Sequence, residues 1–252
     1  MRFSLFPWSG ALAATLLLLS SAFLSAEPVQ GLVLPFKEVS ISSPPERQDV
    51  IQSIKVEEGD VVKKGEILAQ LDDRAAKLDV EDAKQKIKQA EFTAKGMQQL
   101  LQEKMVSKDA TLAKETDLEL ANTLYKAAQL YLDEKSIRSP LDGIVVKRYK
   151  EEGEAADKIE KMFDVVNIDK VYVQFYLDPR WMQRLHAGQE IKLHLPLLSE
   201  HPQFIGTVAF MDPRIDAASG LFRIKLLVDN PDHLIKAGMR AEVDFDQAVA
   251  SN

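Results

Sequence analysis

The longest regular pattern of apolar and polar positions lies between residues 73 and 136. This stretch contains no proline and is rich in Ala, Leu, Lys, Glu and Gln, which are good helix formers. Apolar or small residues recur there at alternating steps of four and three, the spacing of a helix that packs along one face. These positions are Ala76, Val80, Ala83, Ile87, Ala90, Ala94, Met97 and Leu101.

A second helical segment follows after an interruption at residues 104–109. Ser107 lies in this interruption and is a residue type that often caps a helix N-terminus. The two segments predict an antiparallel helical hairpin that would extend roughly 40 Å, at about 1.5 Å for each of about 28 residues per arm. We expect the second helix to pack through Ala113, Leu120 and Ala127 at one seam position and Leu124 and Tyr131 at the other, with Asp117 breaking the seam.

A strand–turn–strand pattern occurs on both sides of this helical segment. Glu-Glu-Gly-Asp at residues 57–60 recurs as Glu-Glu-Gly-Glu at residues 151–154. Repeated motifs indicate duplicated supersecondary units, and Gly59 and Gly153 supply the positive φ that tight turns often require. The repeat therefore predicts one small β-sandwich, divided in sequence by the helices, whose two halves face each other. A chance recurrence of a common hairpin turn is the alternative.

The last third of the chain alternates short apolar strands with turn residues. Asp178 and Pro179 indicate the start of a short helix over residues 181–186, which stops at Gly188. Several short strands with one small helix predict a compact β-barrel, and the apolar run 29–36 adds one more strand. The strands predicted in this part are residues 171–177, 191–195, 204–210, 221–228 and 239–245.

The N-terminus has the pattern of a secretory signal. Arg2 precedes an apolar run over residues 11–24, and small residues follow it. Cleavage after Ala26 or Ala22 is expected. The alternative is an uncleaved anchor, because residues 8–26 approach the ~20 residues that span a bilayer.

Composition excludes several classes of function. The chain has no cysteine, so disulfides, thiolate metal sites and a cysteine nucleophile are absent. Its net charge of −7 disfavours nucleic-acid binding, which needs clustered Lys and Arg. The four histidines have no metal-ligand spacing, and no catalytic serine motif or phosphate loop occurs. We therefore expect neither an enzyme nor a cofactor.

Four motifs occur in order along the chain: V-x-E-G-D-x-V-x-K-G-x-x-L-A-x-L-D at residues 56–72, I-R-S-P-x-D-G at 137–143, D-P-x-x-D-x-x-S-G-x-F-R at 212–223 and A-G-M-R-A-E-V at 237–243. With the helical hairpin, they resemble the periplasmic adaptor, or membrane fusion protein, family of Gram-negative efflux and secretion systems, of the hemolysin D type. The resemblance covers nearly all of the chain after the signal.

The resemblance implies a mainly β fold with a nested architecture, in which a β-barrel contains a lipoyl-like split sandwich and the sandwich contains an α-helical coiled-coil hairpin. The expected boundaries are 1–26 for the signal peptide or anchor, 27–36 and 166–247 for the barrel, 37–72 and 137–165 for the lipoyl-like domain, 73–136 for the hairpin and 248–252 for the C-terminal tail.

The function implied is that of an adaptor in the periplasm, associated with the inner membrane, which bridges a proton-driven or ATP-driven inner-membrane transporter to an outer-membrane channel. Homo-oligomerisation, as a hexameric ring, is implied as well. The expected channel contact is the hairpin tip: Leu100, Met105, Val106, Ser107 and Lys108. The lipoyl-like turns, with a structural or ring-stacking role, are expected at Gly59, Asp60, Gly65, Gly143 and Gly153.

Three departures from the family pattern stand out. Adaptors often carry R-x3-L-x6-S at the tip; Leu100 and Ser107 fit, but Gly96 occupies the arginine position. Asp49 stands where the family usually has glycine, at the position that corresponds to Gly143 in the second half. The chain also ends soon after the A-G-M-R-A-E-V motif, so we expect no membrane-proximal domain and expect the barrel to meet the transporter.

The same motifs allow two alternative functions. A biotinyl or lipoyl carrier subunit shares the G-D-x-V-x-x-G pattern, but its modified lysine lies in a hairpin that the helices replace here, and neither Met-Lys-Met nor Asp-Lys-Ala occurs. An exported coiled-coil scaffold is the second alternative. A scaffold of this kind would not require the divided β-sandwich.

Overall fold

A computed structural model describes residues 28–45, 48–200 and 202–246. The predicted signal peptide and C-terminal tail lie outside these residues. Within them, none of the helices combines the length and the apolar character needed to cross a membrane. The elements are β1 (Val29–Ser42), β2 (Asp49–Ile54), β3 (Val61–Val62), β4 (Ile67–Leu71), α1 (Arg74–Gln102), α2 (Lys108–Asp133), β5 (Ser136–Arg138), β6 (Gly143–Arg148), β7 (Ala155–Ala156), β8 (Lys161–Leu177), β9 (Glu190–His194), β10 (Gln203–Ile215), β11 (Phe222–Asp229) and β12 (Arg240–Val243).

The fold is mainly β, with a barrel and a sandwich. The strands β1, β12, β9, β10, β11 and β8 pair in this order, and β1 also pairs with β8, which closes the barrel. Closure leaves no free sheet edge around the barrel. The strands β6 and β3 extend the same sheet beyond β8, and a second sheet with the order β5-β4-β2-β7 lies in the sandwich.

Each of these two parts has its own apolar core. In the barrel, Phe175 packs edge-on against Phe245 with 5.4 Å between the ring centroids, and Trp181 lies beside Phe245. In the sandwich, the core includes the fully buried Leu68 and Phe163. Burial of side chains of this size is the main source of stability in each part.

The predicted boundary between barrel and sandwich is not a loop. β1 and β8 run through it without a break and pair with each other in both parts, with a register shift between Pro35 and Lys37. Proline cannot donate to a ladder, so an irregularity beside it is expected. Two continuous paired strands therefore join the barrel to the sandwich.

The two halves of the sandwich bond to each other in the reciprocal way that the sequence repeat predicts. The amide of Gly59 donates to the carbonyl of Val145 at 2.8 Å, and the amide of Gly153 donates to the carbonyl of Ile51 at 2.9 Å. Val145 and Ile51 are related by the offset that relates Gly153 to Gly59. The prediction that the two copies face each other is confirmed.

Four turns of the sandwich share one hydrogen-bonding device. In each, an acidic side chain accepts a hydrogen bond from the amide three residues before it, which fixes the turn as local side-chain caps do. The pairs are Asp60 with Glu57 at 2.8 Å, Glu66 with Lys63 at 2.8 Å, Glu154 with Glu151 at 3.0 Å and Glu160 with Asp157 at 2.9 Å. Three of these turns place glycine at positive φ, namely Gly59, Gly65 and Gly153, as expected for Gly59 and Gly153.

The fourth turn has Ile159 at the position that corresponds to Gly65, with a φ of 57°. A left-handed backbone costs an L-residue about 1–2 kcal/mol, and glycine costs about 0.5–1 kcal/mol in unfolded-state entropy. Because the Ile159 side chain is 68% exposed, its loss removes little burial. We expect Ile159→Gly to raise the free energy of unfolding by about 0.5–1 kcal/mol in urea titrations. The converse change, Gly65→Ile, should lower it; equal effects of one sign from both changes would contradict this account.

Gly143 does not lie in a turn, contrary to expectation. It is the first residue of β6 and pairs with Val62. A Cβ atom at this position would lie 2.4 Å from the carbonyl oxygen of Val166. Glycine is therefore required here for close backbone approach rather than for a positive φ.

The helices α1 and α2 pack against each other over the predicted heptad of α1. Of the residues predicted to form the seam of α1, Ala76, Ala83 and Ala94 are buried and the remaining five are half-buried. The loop after α1 ends at Ser107, whose hydroxyl accepts a hydrogen bond from the amide of Ala110 at 3.2 Å. The predicted seam of α1 and the prediction of Ser107 as the N-cap of α2 are both confirmed.

The predicted seam of α2 is wrong. Leu120 is 58% exposed, and Leu124 is exposed as well. The buried residues of α2 are Thr111 and Ala121. Leu118, Tyr125, Ala128 and Leu132 lie on the same face at heptad spacing and are half-buried, so this face packs against α1. Ala113, Leu120, Leu124 and Ala127 instead form an exposed apolar row, the outer stripe of α2, while Tyr131 is half-buried at the end of the helix.

The short helix predicted over residues 181–186 is a single 3₁₀ turn at Pro179–Gln183. Asp178 caps it, since its carboxylate accepts a hydrogen bond from the amide of Arg180 at 2.9 Å. Trp181 is buried in the barrel core. Trp181 therefore anchors the turn in the barrel core.

Candidate partner-binding sites

The residues predicted as the hairpin tip lie together at the far end of the two helices. The amide of Met105 donates to the carbonyl of Leu100 at 2.9 Å, and Lys104 turns the chain with a φ of 60°. Met105 is 70% exposed. Ser107 caps α2, and Lys108 is its first residue. The tip presents the apolar side chain of Met105 to solvent.

Methionine at this position suits contact with another protein. Its side chain is unbranched and polarisable, so it adapts to an apolar surface that is not pre-shaped. Val106 is half-buried beside it and makes the tip locally stiffer. The exposed side chain of Met105 is therefore suited to an apolar contact.

The root of the hairpin contains a buried ion pair that sequence reasoning missed. Lys135 is 2% exposed, and its Nζ lies 2.7 and 2.8 Å from the two carboxylate oxygens of Asp49. The same Nζ lies 4.1 Å from the ring centroid of Tyr131. Asp49 was the departure from the family's glycine, so the unusual residue was visible in the sequence while its partner was not.

This ion pair fastens the end of α2 to β2, and a glutamine fastens it to β4. The side-chain amide of Gln70 donates to the carbonyl of Lys135 at 3.1 Å, and its oxygen accepts from the hydroxyl of Ser136 at 2.9 Å. Burial by itself would lower the pKa of Lys135, but hydrogen bonds to Asp49 and Tyr131 outweigh it and hold the pKa above the ordinary value. The root is therefore charged and fully paired.

The D-P-x-x-D-x-x-S-G-x-F-R motif builds a polar cluster at one end of β10 and β11. The guanidinium groups of Arg214 and Arg223 each lie 3.1 Å from the buried carboxylate of Asp212. The pKa of Asp212 is lowered to about 2, and the hydrogen bonds that Arg214 donates are the largest cause. Asp216 accepts from the amide and hydroxyl of Ser219 at 2.8 and 2.9 Å, which fixes the turn. The motif's acids are thus internal partners of its own turn.

Polar groups elsewhere in the described chain serve local structure. Asn230 is buried, and its side-chain amide donates to the carbonyls of Ile168 and Ile235 at 2.8 and 2.9 Å. His233 turns the chain with a φ of 52° and lies 2.8 Å from Asp169. Across residues 28–45, 48–200 and 202–246, no group of three or more His, Asp or Glu side chains could hold a metal ion.

Comparison with protein-family models gives two matches that follow one another along the chain. Residues 43–167 match the CzcB-like barrel-sandwich hybrid domain, and residues 170–249 match the CusB-like β-barrel domain. The first covers the sandwich with its helices, and the second covers most of the barrel. Their order is the order of the two parts in the fold.

Curated relatives and solved structures agree with these matches. The chain is 21% identical over 217 residues to the cobalt-zinc-cadmium resistance protein CzcB of Cupriavidus metallidurans, covering 79% of this chain and 41% of that protein. It is 24% identical over 225 residues to the antibiotic efflux pump periplasmic linker protein ArpA of Pseudomonas putida, covering 82% and 60%. The chain therefore spans less than two thirds of the length of these relatives.

Among solved structures, a MacA–MexA chimeric protein that contains the Pseudomonas aeruginosa MexA α-hairpin domain superimposes with a TM-score of 0.74. The superposition covers 85% of this chain and 76% of that one at 20% sequence identity, which establishes likeness of fold. Two consecutive domain matches, relatives that include a periplasmic linker and this shared fold agree with the motifs in the sequence. The chain belongs to the periplasmic adaptor, or membrane fusion protein, family.

Proposed function

We propose that this chain is the periplasmic adaptor subunit of a tripartite efflux or secretion pump, associated with the inner membrane, where it bridges an inner-membrane transporter to an outer-membrane channel. The observation that carries the proposal is the helical pair with its exposed tip. α1 contains 29 residues, which at about 1.5 Å per residue gives an arm of roughly 40 Å. An arm of this length with Met105 at its end serves to reach a distant partner.

The nested organisation is part of the proposal. We assign residues 27–36 and 166–247 to the barrel, 37–72 and 137–165 to the lipoyl-like sandwich, and 73–136 to the hairpin. The root contacts of Lys135 support this arrangement, because they hold the hairpin on the sandwich at a defined angle. A hairpin so held can align a partner at its tip with a partner at the barrel.

Homo-oligomerisation, as a hexameric ring, is supported by the outer stripe of α2. Ala113, Leu120, Leu124 and Ala127 keep a heptad spacing, interrupted by Asp117, although the contact with α1 does not use them. A heptad row of apolar residues on an exposed helix face is typical of helix–helix association. In the proposed ring, this stripe packs against the hairpin of the adjacent copy.

The mechanism is passive and depends on alignment. Adaptor copies seal the conduit between transporter and channel, and the rigid connections within each copy transmit movements of the transporter. β1 and β8 connect barrel and sandwich, and the buried root connects sandwich and hairpin. Such connections couple the two ends of the molecule without any chemical step.

Crosslinking in the native host tests this function. A photoreactive amino acid at position 106 is expected to capture an outer-membrane channel protein, identified by mass spectrometry of the crosslinked band. The same amino acid at position 192, on an exposed residue of β9, is the matched control and should not capture the channel. Capture of only soluble proteins from position 106 would instead favour an exported scaffold.

A further inference from the structure

Met105 differs in solvent exposure from the other methionines that the structure describes. Its side chain is 70% exposed at the hairpin tip, whereas Met162 is fully buried in the core of the sandwich. The other four are half-buried, namely Met97, Met182, Met211 and Met239. Within the described part of the chain, Met105 is therefore the methionine that dissolved molecules reach most readily.

The surroundings of Met105 offer its sulfur little protection. Residues 100–108 contain no aromatic residue, so the tip supplies no sulfur–aromatic contact. Met239, by contrast, packs against the barrel core, and its sulfur accepts a hydrogen bond from the amide of Lys236 at 3.4 Å. The chain also has no cysteine, so no thiol of its own competes for an oxidant.

The backbone of the tip is held without the side chain of Met105. The amide of Met105 donates to the carbonyl of Leu100 at 2.9 Å, and the amide of Lys104 donates to the carbonyl of Leu101 at 3.0 Å. The hydroxyl of Ser107 then caps α2. A chemical change at the end of the Met105 side chain therefore alters the surface of the tip and leaves its fold intact.

We propose that Met105 is a modification site, at which a hydroperoxide oxidises the thioether to a sulfoxide and thereby prevents the tip from docking. The inference rests on the proposed function, in which the tip contacts an outer-membrane channel, and it adds regulation of that contact. Oxidation of methionine to the sulfoxide is a known regulatory change in proteins.

The reaction with hydrogen peroxide is a two-electron oxidation of sulfur. A bond forms between the sulfur and one peroxide oxygen while the O–O bond breaks. The electron pair from sulfur passes to the second oxygen, which takes up the proton of the transferred oxygen and leaves as water. Methionine sulfoxide reductases reverse the change, so the site can return to its apolar form.

A sulfoxide at the tip opposes contact with an apolar surface. Oxidation converts a flexible apolar side chain into a polar one. Docking would strip water from the S–O group, and burial of a polar group without a hydrogen-bond partner is unfavourable. Docking also covers the sulfur of the unmodified residue. Oxidation therefore acts on adaptors that are not yet docked and blocks new assembly rather than dismantling complete pumps.

Peptide mapping of the purified chain after treatment with hydrogen peroxide tests the modification site. We expect one added oxygen atom on Met105 first, with oxidation at least about tenfold faster than at Met162. Methionine sulfoxide reductases A and B should remove this oxygen, and the circular dichroism spectrum should not change while only Met105 has reacted. Oxidation of Met97 or of a barrel methionine ahead of Met105 would overturn the assignment.

Crosslinking from position 106 in the native host tests the effect on docking. Synthesis of the protein in the presence of hydrogen peroxide should lower capture of the channel protein about tenfold. Met105→Leu keeps an apolar side chain without sulfur and should preserve capture, whereas the matched control Met97→Leu should remain sensitive. Met105→Gln, a polar side chain of similar length, should lower capture without any peroxide.

The outcomes separate the oxidation site from the adaptor function. Equal sensitivity of the parent protein and Met105→Leu would locate the oxidised group elsewhere and overturn the site, while capture without peroxide would still support the adaptor function. Capture that persists although peptide mapping shows Met105 oxidised would also overturn the proposed regulation. If position 106 captures no channel even without peroxide, the adaptor function fails and the regulation fails with it.

Discussion

Replacing Lys135 with methionine is expected to lower the free energy of unfolding by about 3–5 kcal/mol. The change keeps the length and apolar stem of the side chain but removes the charge that pairs with Asp49 at 2.7 Å. Because Asp49 is itself largely buried, its carboxylate would remain in a poorly hydrated position without a counter-ion. Urea titration monitored by circular dichroism measures the effect.

Two further variants show whether the effect comes from the buried charge. Lys77→Met is the matched control, since Lys77 also pairs with an aspartate at the hairpin root, Asp73, at 2.9 Å but is itself mostly exposed; it should cost only about 0.2–1 kcal/mol. The double variant Lys135→Met with Asp49→Ala should recover most of the lost stability, to within about 1 kcal/mol of the parent protein. A double variant no more stable than Lys135→Met would show that packing, not charge, explains the loss.

The stabilising effect of the Lys135 charge should be lost only at high pH. The pKa of Lys135 in the folded protein is raised above the ordinary value of 10.5, so folding favours the protonated form. Its stabilising effect is therefore complete below pH 10.5 and is lost as the pH rises through the folded-state pKa. The difference between the parent protein and Lys135→Met should be constant near neutral pH and shrink only in strongly alkaline solution.

Replacing Met105 and Val106 together with aspartate is expected to abolish export while the protein stays folded. Met105 is 70% exposed and Val106 is half-buried at the end of the hairpin, so the double substitution leaves the cores of barrel and sandwich intact and should cost no more than about 1 kcal/mol. At a partner's apolar surface, however, two carboxylates would be desolvated without counter-ions. A loss of at least 2 kcal/mol at such a central contact weakens binding roughly 30-fold or more.

Export of a toxic substrate, measured as growth inhibition in the native host, is the readout for the tip. Leu78→Asp is the matched control, because Leu78 is an equally exposed apolar residue on α1, near the other end of the hairpin. It introduces a carboxylate at an exposed apolar position far from the tip and should leave export intact. Undiminished export by the tip variant, at normal protein levels, would show that the channel contact lies elsewhere.

The two helices show why one seam could be predicted and the other could not. In α1 the heptad positions are the only regular row of small and apolar residues, so the period identifies the buried face. α2 carries two candidate rows: Leu120 and Leu124 lie on one, and Leu118 and Leu132 lie on the other. Burial goes to the second of these rows, which also contains Thr111 and Ala121. Which of two rows is buried depends on the partner helix, and a single helix sequence does not contain that information.

The split sandwich was predictable because its signal is a repeat, and a repeat is a long-range relation that can be read directly from sequence. The root of the hairpin carries no such signal. Lys135 and Asp49 are 86 positions apart, and lysine at the end of an amphipathic helix normally indicates a solvated residue. Its burial depends on how α2 meets β2, which is decided by tertiary structure.

Because strands β1 and β8 are continuous, the barrel and the sandwich cannot be separated at a loop. A cut between residues 36 and 37 and between 165 and 166 would pass through a paired ladder and leave open sheet edges on both fragments. Exposed edges recruit strands from other chains and lead to aggregation. The helices, in contrast, leave the sandwich through β4 and β5 as a single two-ended insertion. A hairpin of different length could therefore be grafted at this point, whereas the barrel and the sandwich should be transferred together.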